Sequence, residues 1–157
     1  GEEMRGLNSA AFLCTVMALW QDTPLDYGAY YTVNNSAWGC YVQNSNAPTP
    51  SYYGLKAFGE IVKFPVRLEV ASDSPNVTVL AGEQQTGRKA LLISAFNTSS
   101  TEFVVEADVP LCRENSKVLL LDEDHLLAEC RNTVFENNLL KFQNRSNSAV
   151  ALILING

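Results

Sequence analysis

Short apolar segments fill the chain after Pro65, and they constrain its fold more than any other feature of the sequence. In order they read VRLEV, NVTVLAG, ALLISAF, EFVVEAD, KVLLLD, LLAEC, LLKFQ and AVALILI. Turn-forming runs such as Asp-Ser-Pro, Gln-Thr-Gly and Asn-Thr-Ser-Ser separate them. Segments of about five to eight residues at regular spacing are typical of antiparallel sandwiches. Residues 65–157 are therefore predicted to form an antiparallel β-sandwich.

The first 64 residues follow a different pattern of helix, strand and helix. The run NSAAFLCTVMALWQD is apolar almost all the way round a helix that would begin at Asn8 or Ser9. The run YGAYYTV is rich in aromatic residues and predicts a strand. Thr49 and Pro50 then indicate the start of a second helix. One face of that helix is predicted to carry Tyr52, Leu55, Phe58, Ile61 and Val62.

The predicted strand has no evident partner within these 64 residues. A strand needs neighbours to satisfy its amides and carbonyls, so this one joins the sandwich, pairs with a second copy, or belongs to a larger α/β barrel. The apolar helix from Ser9 to Trp20 needs a cover as well, which a second copy of the chain would provide by self-association. The sequence begins with Gly rather than Met, which suggests either a cleaved product or an internal fragment of a longer protein.

Composition and charge limit the classes of partner that the chain can bind. The chain is 46% hydrophobic and 18% charged, as expected for a packed globular protein. Its formal net charge of −6 argues against nucleic acid, which calls for a basic surface. The longest apolar stretch, Ala10 to Trp20, is shorter than the roughly 20 residues of a membrane span. We therefore expect neither nucleic acid nor membrane as a partner.

No motif in the chain predicts a metal or an organic cofactor. The cysteines Cys14, Cys40, Cys112 and Cys130 are far apart and the chain has one histidine, so a zinc site is not expected. Buried free thiols are the simpler interpretation, with a disulfide between Cys112 and Cys130 as the alternative. The acidic run from Asp122 to His125 suits either calcium or a hairpin turn, and we favour the turn. The glycines in GEQQTGRK lack the ending of a phosphate loop.

Three stretches of the first half resemble a known family when they are taken together. NSAAFLCTVMALWQD, DYGAYYTVNN and PTPSYYGLKAFGEI resemble the seventh helix, eighth strand and eighth helix of the (β/α)8 barrel in retaining glycoside hydrolases of the xylosidase and arabinofuranosidase type. KVLLLDEDHLLAECRN resembles a hairpin of the sandwich that follows such barrels. The resemblance implies an α+β chain in which residues 1–64 are a partial barrel and residues 65–157 an accessory sandwich.

The resemblance also implies that the catalytic groups lie elsewhere. Retaining glycosidases use two carboxyl groups, one as acid/base and one as nucleophile. In this family they follow the fourth and seventh barrel strands, which would both precede the chain. Glu2 and Glu3 stand beside the first helix rather than at the end of an apolar strand, so neither is predicted to be a remnant nucleophile.

The resemblance also implies a sugar-binding position in this chain, at the end of the eighth barrel strand. Tyr31 matches the aromatic residue that floors the subsite next to the scissile bond, with Asn34 and Trp38 on the following loop as a hydrogen-bond donor and a wall. Aromatic faces stack on the C–H surfaces of sugars, and Asn amides bind hydroxyls. Packing of Tyr30 and Tyr31 in a core is the competing interpretation. Tyr stands where Trp is often found, which leaves the sugar open.

The sequence therefore predicts a non-catalytic C-terminal fragment of a glycoside hydrolase whose sandwich supports the barrel. Carbohydrate would be its partner through the parent enzyme, and the resemblance favours a location outside the cytoplasm. The alternative is a self-standing sandwich that binds carbohydrate or protein. All Trp and Tyr residues precede residue 65, which argues against a sugar-binding platform on the sandwich itself.

Overall fold

The computed structural model describes residues 5–34, 37 and 39–157. The described residues form two helices followed by nine strands. The helices are α1 (Leu7–Trp20) and α2 (Pro50–Ile61). The strands are β1 (Val66–Leu68), β2 (Val77–Glu83), β3 (Lys89–Ala95), β4 (Glu102–Glu106), β5 (Ser116–Leu121), β6 (Leu126–Glu129), β7 (Thr133–Glu136), β8 (Leu139–Gln143) and β9 (Ala149–Ile155). Neither helix combines the length and apolar character needed to cross a membrane, as far as the described residues go.

The elements are arranged in three layers. A six-stranded sheet in the order β1-β2-β3-β9-β5-β6 forms the middle layer, and a three-stranded sheet in the order β4-β8-β7 covers one of its faces. The two helices pack on the opposite face. All paired strands run antiparallel. The predicted α+β class with an antiparallel sandwich is confirmed.

Strand β9 shows why the middle sheet needs both covers. Its sequence AVALILI is apolar throughout, and all but one of its side chains are buried. Side chains alternate between the two faces of a strand, so Val150 and Leu152 pack under the helices. Ala151, Ile153 and Ile155 pack against the small sheet. A continuous apolar strand is thus explained by two cores rather than one.

All eight strands predicted after Pro65 are present, and one strand there was missed. The missed strand, β7, has the sequence TVFE and no buried residue, so it lacks the apolar run that identifies the others. It pairs with β8 at the outer edge of the small sheet. An edge strand has only one neighbour, and a short polar edge is the form that natural sheets favour.

The helices cross closely because small residues meet there. On α2 the buried residues are Ser51, Gly54, Ala57 and Ile61, and on α1 they are Ala10, Ala11, Cys14 and Ala18. The thiol of Cys14 lies 3.2 Å from the carbonyl oxygen of Gly54, as a hydrogen-bond donor. Of the five residues predicted to share one face of α2, only Ile61 is buried. Large side chains at the crossing would hold the helices apart, so Tyr52, Leu55 and Phe58 are only partly buried and Val62 is exposed.

Two glycines of α2 offer a matched test of this crossing. A Cβ at Gly54 would lie 3.0 Å from the carbonyl oxygen of Ala10, whereas a Cβ at Gly59 would have no atom within 4 Å. Gly59→Ala is expected to raise the free energy of unfolding by about 0.5–1 kcal/mol, because alanine favours the helix. Gly54→Ala is expected to lose that gain, because Ala10 must move. Urea denaturation checks both, and equal gains would contradict the close crossing.

The ends of both helices differ from the predicted capping. The N-cap of α1 is Gly6 rather than Asn8 or Ser9, because Ser9 instead contacts α2, where its hydroxyl accepts a hydrogen bond from Ser51 at 3.1 Å. The second helix does begin at Pro50 after Thr49, as predicted. The Thr49 hydroxyl donates to the carbonyl oxygens of Gly39 and Cys40, at 3.0 and 3.1 Å, so it ties down the preceding loop instead of capping the helix.

All four cysteines are free thiols, of which Cys14, Cys40 and Cys130 are buried and Cys112 is half-buried. Burial raises the pKa of Cys14 to about 12 and also raises the pKa values of Cys40 and Cys130. Iodoacetamide at pH 8 should therefore modify Cys112 first. The thiolate fraction of Cys14 would be only about one in ten thousand at that pH.

Mass spectrometry of peptides after brief labelling checks this order. Labelling in urea is the control, since all four thiols should then react at similar rates. Modification of Cys14 before Cys112 in the folded protein would contradict the placement of α1 against α2.

Candidate functional site

The segment between the two helices carries the predicted substrate-binding residues. Contrary to the prediction, residues 27–33 form no strand in the described part of the chain. The nearest pairing is an isolated parallel bridge between Asn34 and Tyr41. A lone strand has no neighbour to satisfy its peptide groups, and the segment here has no regular secondary structure. Tyr27 and Tyr31 are 84% and 83% exposed.

Tyr30 and Tyr31 separate into two environments. The half-buried Tyr30 lies at the junction of α1 and α2, where its hydroxyl interacts with the hydroxyls of Ser9 and Ser51. Burial raises the pKa of Tyr30, and the nearby Cys40 acts in the same direction. Tyr30 therefore anchors the segment, and the neighbouring Tyr31 is turned to solvent. The peptide bond between Tyr31 and Thr32 is cis.

The other two predicted residues follow Tyr31 along the same segment. Asn34 is exposed, and its backbone takes part in the bridge to Tyr41. Trp38 lies outside the described residues. The structure thus leaves the side chains of Tyr31 and Asn34 available to a ligand, and their role in substrate binding stays a prediction.

The loop that leads into α2 is held by several hydrogen bonds. The Tyr41 amide donates to the Val33 carbonyl at 3.3 Å, and the Thr49 amide donates to the Cys40 carbonyl at 2.8 Å. The ring of Tyr41 lies 5.3 Å from that of Tyr52 on α2. These contacts fix the far end of the segment that bears Tyr31 and Asn34, as Tyr30 fixes its near side.

An apolar cleft of about 490 Å³ opens between α1, α2 and the start of this segment. Its wall on α1 is formed by Phe12, Leu13, Val16, Met17 and Trp20. The segment passes close to Trp20, since a Cβ at Gly28 would come within 2.4 Å of the indole ring. Helix α1 thus buries its small residues and presents large ones outward. Sequence alone showed a helix apolar all round but not which side stays uncovered.

The acidic run from Asp122 to His125 forms the predicted turn, between β5 and β6. The backbone amide of Asp122 donates to the carbonyl of His125 at 3.0 Å. The buried Asp122 carboxylate accepts from the Asp124 amide at 3.0 Å and lies 2.7 Å from Nδ1 of His125. These contacts of Oδ1 stabilise the turn. Among the described residues there is no group of three or more His, Cys, Asp or Glu able to hold a metal.

Comparison with known proteins identifies similar folds but no sequence relative. No family model matches the chain, and no curated protein matches it. Among solved structures, a glycoside hydrolase family 30 subfamily 8 xylanase from Clostridium acetobutylicum has a TM-score of 0.71 at 12% identity, covering 96% of this chain and 40% of that chain. A family 39 glycoside hydrolase from Bacteroides cellulosilyticus has a TM-score of 0.66 at 18% identity, covering 94% and 30%.

A third similar structure is the family 51 arabinofuranosidase from Xanthomonas axonopodis pv. citri. Its TM-score is 0.61 at 11% identity, covering 92% of this chain and 35% of that chain. At these identities the likeness shows the fold alone. The chain spans well under half the length of these enzymes, and its fold is that of the C-terminal region of glycoside hydrolases.

Proposed function

We propose that this chain is the C-terminal part of a glycoside hydrolase, made of the last barrel elements and a sandwich that supports the barrel. The observation that carries the proposal is the pattern of coverage. At least 92% of the chain superposes on three hydrolase families, and in each the match occupies at most 40% of the enzyme. The predicted boundary near residue 65 belongs to the same proposal.

Large apolar side chains exposed on α1 support this proposal. Phe12, Leu19 and Trp20 are 51%, 56% and 40% exposed, which is unusual for large apolar side chains clustered on one helix. Preceding barrel elements would cover them and would give the segment at Tyr31 a neighbouring strand. The same surface would otherwise support self-association through residues 9–20, as a self-standing module requires.

In this proposal the chemistry is retaining hydrolysis by two carboxyl groups that precede the chain. The residues of this chain bind the sugar rather than react with it. Tyr31 would stack on a sugar ring, and Asn34 would hydrogen-bond hydroxyls beside it, with Trp38 as a further wall. The sugar and its linkage are set by residues outside this chain as well as by these.

The direct test compares the full-length polypeptide with the 157-residue chain on aryl xyloside and arabinofuranoside substrates. The full-length protein is expected to hydrolyse one of them, and the chain alone neither. Hydrolysis by the chain alone would contradict the proposal.

Sedimentation equilibrium of the full-length protein is a second test. Dimers that Trp20→Glu converts to monomers would favour the self-associating module instead.

Tyr31→Ala in the full-length polypeptide is expected to lower kcat/KM for the glycoside by roughly ten-fold, since it removes a stacking surface. Tyr31→Phe should keep most of the activity because its ring is retained. Tyr27→Ala is the matched control, since Tyr27 is equally exposed on the same segment. Equal losses at Tyr27 and Tyr31 would remove Tyr31 from the substrate site.

A further inference from the structure

A groove lies between the two sheets on the side away from the helices. The small sheet has three strands and the large sheet six, so part of the inner face of β2 and β3 remains uncovered beside β4. The groove has a volume of about 420 Å³. Its floor is apolar and consists of Val77, Val79, Leu91 and Ile93.

One wall of this groove is the free edge of β4. In the described part of the chain β4 pairs only with β8, so its other edge has no strand beside it. The Asn144 amide donates to the Thr101 carbonyl, which makes Thr101 and Asn144 a hydrogen-bonded pair. Bonded and non-bonded pairs alternate in antiparallel sheets. The peptide groups of Glu102, Val104 and Glu106 therefore point to the free edge.

The charges on β4 itself have one sign. Glu102 and Glu106 are exposed on β4, and Asp73 lies on the opposite wall. No lysine or arginine is among the described residues that line the groove. Carboxylates alone are a common protection of sheet edges against aggregation. Protection does not require an apolar trough beside the edge, and here the two occur together.

We propose that the β4 edge and its groove bind an extended basic peptide segment of another protein by strand addition. The peptide would run antiparallel to β4 and share its open hydrogen bonds. Residues opposite Glu102 and Glu106 would be lysine or arginine, and the residues between them would place apolar side chains over the floor of the groove. This inference does not depend on the proposed glycoside hydrolase function.

A second copy of the chain fits this edge poorly. Antiparallel pairing of two β4 strands about Val104 would place Glu102 of one copy opposite Glu106 of the other. Like charges directly opposite one another are destabilising in a sheet. The edge therefore disfavours self-pairing and favours a strand of opposite charge.

The test measures binding of a fluorescent peptide with the core sequence Lys-Val-Thr-Val-Lys to the full-length polypeptide by anisotropy. Exchanging both lysines for glutamate is expected to weaken binding by about ten-fold or more, since two attractive pairs become repulsive. On the protein, Glu102→Lys combined with Glu106→Lys should reverse the preference between the two peptides. A scrambled peptide of equal charge that binds as tightly would overturn the proposal.

Methylation of single peptide nitrogens separates strand addition from simple charge attraction. The central threonine would face Val104, and its amide would point toward β4. Methylating that nitrogen should weaken binding by about five-fold or more, because one hydrogen bond is lost. Methylating a valine nitrogen, which would point away from β4, is the matched control. Equal effects of the two methyl groups would overturn the proposal.

Two protein measurements complete the test. Val104→Pro removes an edge amide that β8 does not use, and it should weaken peptide binding, whereas Val104→Thr should not. Circular dichroism shows whether each variant is folded, and the methylated peptides test the proposal without any variant. A dimer in sedimentation equilibrium that Val104→Pro dissociates would overturn the proposal in favour of a second copy. Failure of the wild-type protein to bind the lysine peptide at millimolar concentration would also overturn it.

Discussion

Phe142→Ala is expected to lower the free energy of unfolding by about 3–5 kcal/mol, the largest effect of any single substitution proposed for this chain. Phe142 lies in β8 at the centre of the small sheet and is 2% exposed. Its ring stacks on Phe103 with centroids 5.3 Å apart. Removing it opens a cavity between the two sheets that neighbouring strands cannot close. Guanidinium denaturation followed by tryptophan fluorescence and circular dichroism measures the change.

Val134→Ala is the matched control for this prediction. Val134 lies on β7 of the same sheet but is 53% exposed. Its truncation is expected to change the free energy of unfolding by less than about 0.5 kcal/mol. Similar losses at Phe142 and Val134 would contradict the burial of the small sheet against the large one.

Gly82→Ala is expected to have the second-largest effect, a loss of about 3 kcal/mol. Gly82 pairs with Arg67 on β1, the strand that follows α2 in the chain. A Cβ at Gly82 would lie 2.2 Å from the carbonyl oxygen of Phe64. That atom belongs to the backbone, so relief requires moving the connection between the helices and the large sheet rather than a side chain.

Gly59→Ala adds the same methyl group where nothing lies within 4 Å, and it serves as the control. Hydrogen exchange should show faster opening of β1 and the end of α2 in Gly82→Ala, but not in Gly59→Ala. Retention of the full stability in Gly82→Ala would contradict the close passage of Phe64 over β2.

The fold was largely predictable because most of its strands are apolar runs bounded by turn-forming residues. Alternation of turn residues with apolar runs located every strand except β7, whose polar sequence depends on β8 for its structure. The helices were predicted almost to the residue, but not their buried faces. Which side of α1 faces the sheet depends on the space available between α2 and β9. That space is determined by the contact between Gly54 and Ala10. The two residues are far apart in sequence, so the periodicity of either helix does not reveal the contact.

The candidate site was less predictable, for a physical reason. The aromatic run from Tyr27 to Val33 has strand propensity, but a strand also needs a hydrogen-bonding neighbour. Among the described residues the Tyr41 amide reaches only the Val33 carbonyl at the end of this run, and the run forms no strand. The family resemblance identified Tyr31 and Asn34 as substrate-binding candidates on this segment. It left open whether Tyr30 and Tyr31 pack together in a core, and only Tyr30 is half-buried, beside Ser9 and Ser51.

The place of β9 has a consequence for how the chain acquires its fold during synthesis. Strand β9 is the last of the described strands in chain order, and it joins β3 to β5 in the middle sheet. When synthesis has reached Ser148, all described elements except β9 have been made. The large sheet then lacks the strand between β3 and β5, and the small sheet lacks the β9 side chains against which it packs. Both cores stay incomplete until β9 has been synthesised, so a chain that ends before Ala149 would be aggregation-prone rather than a smaller working domain.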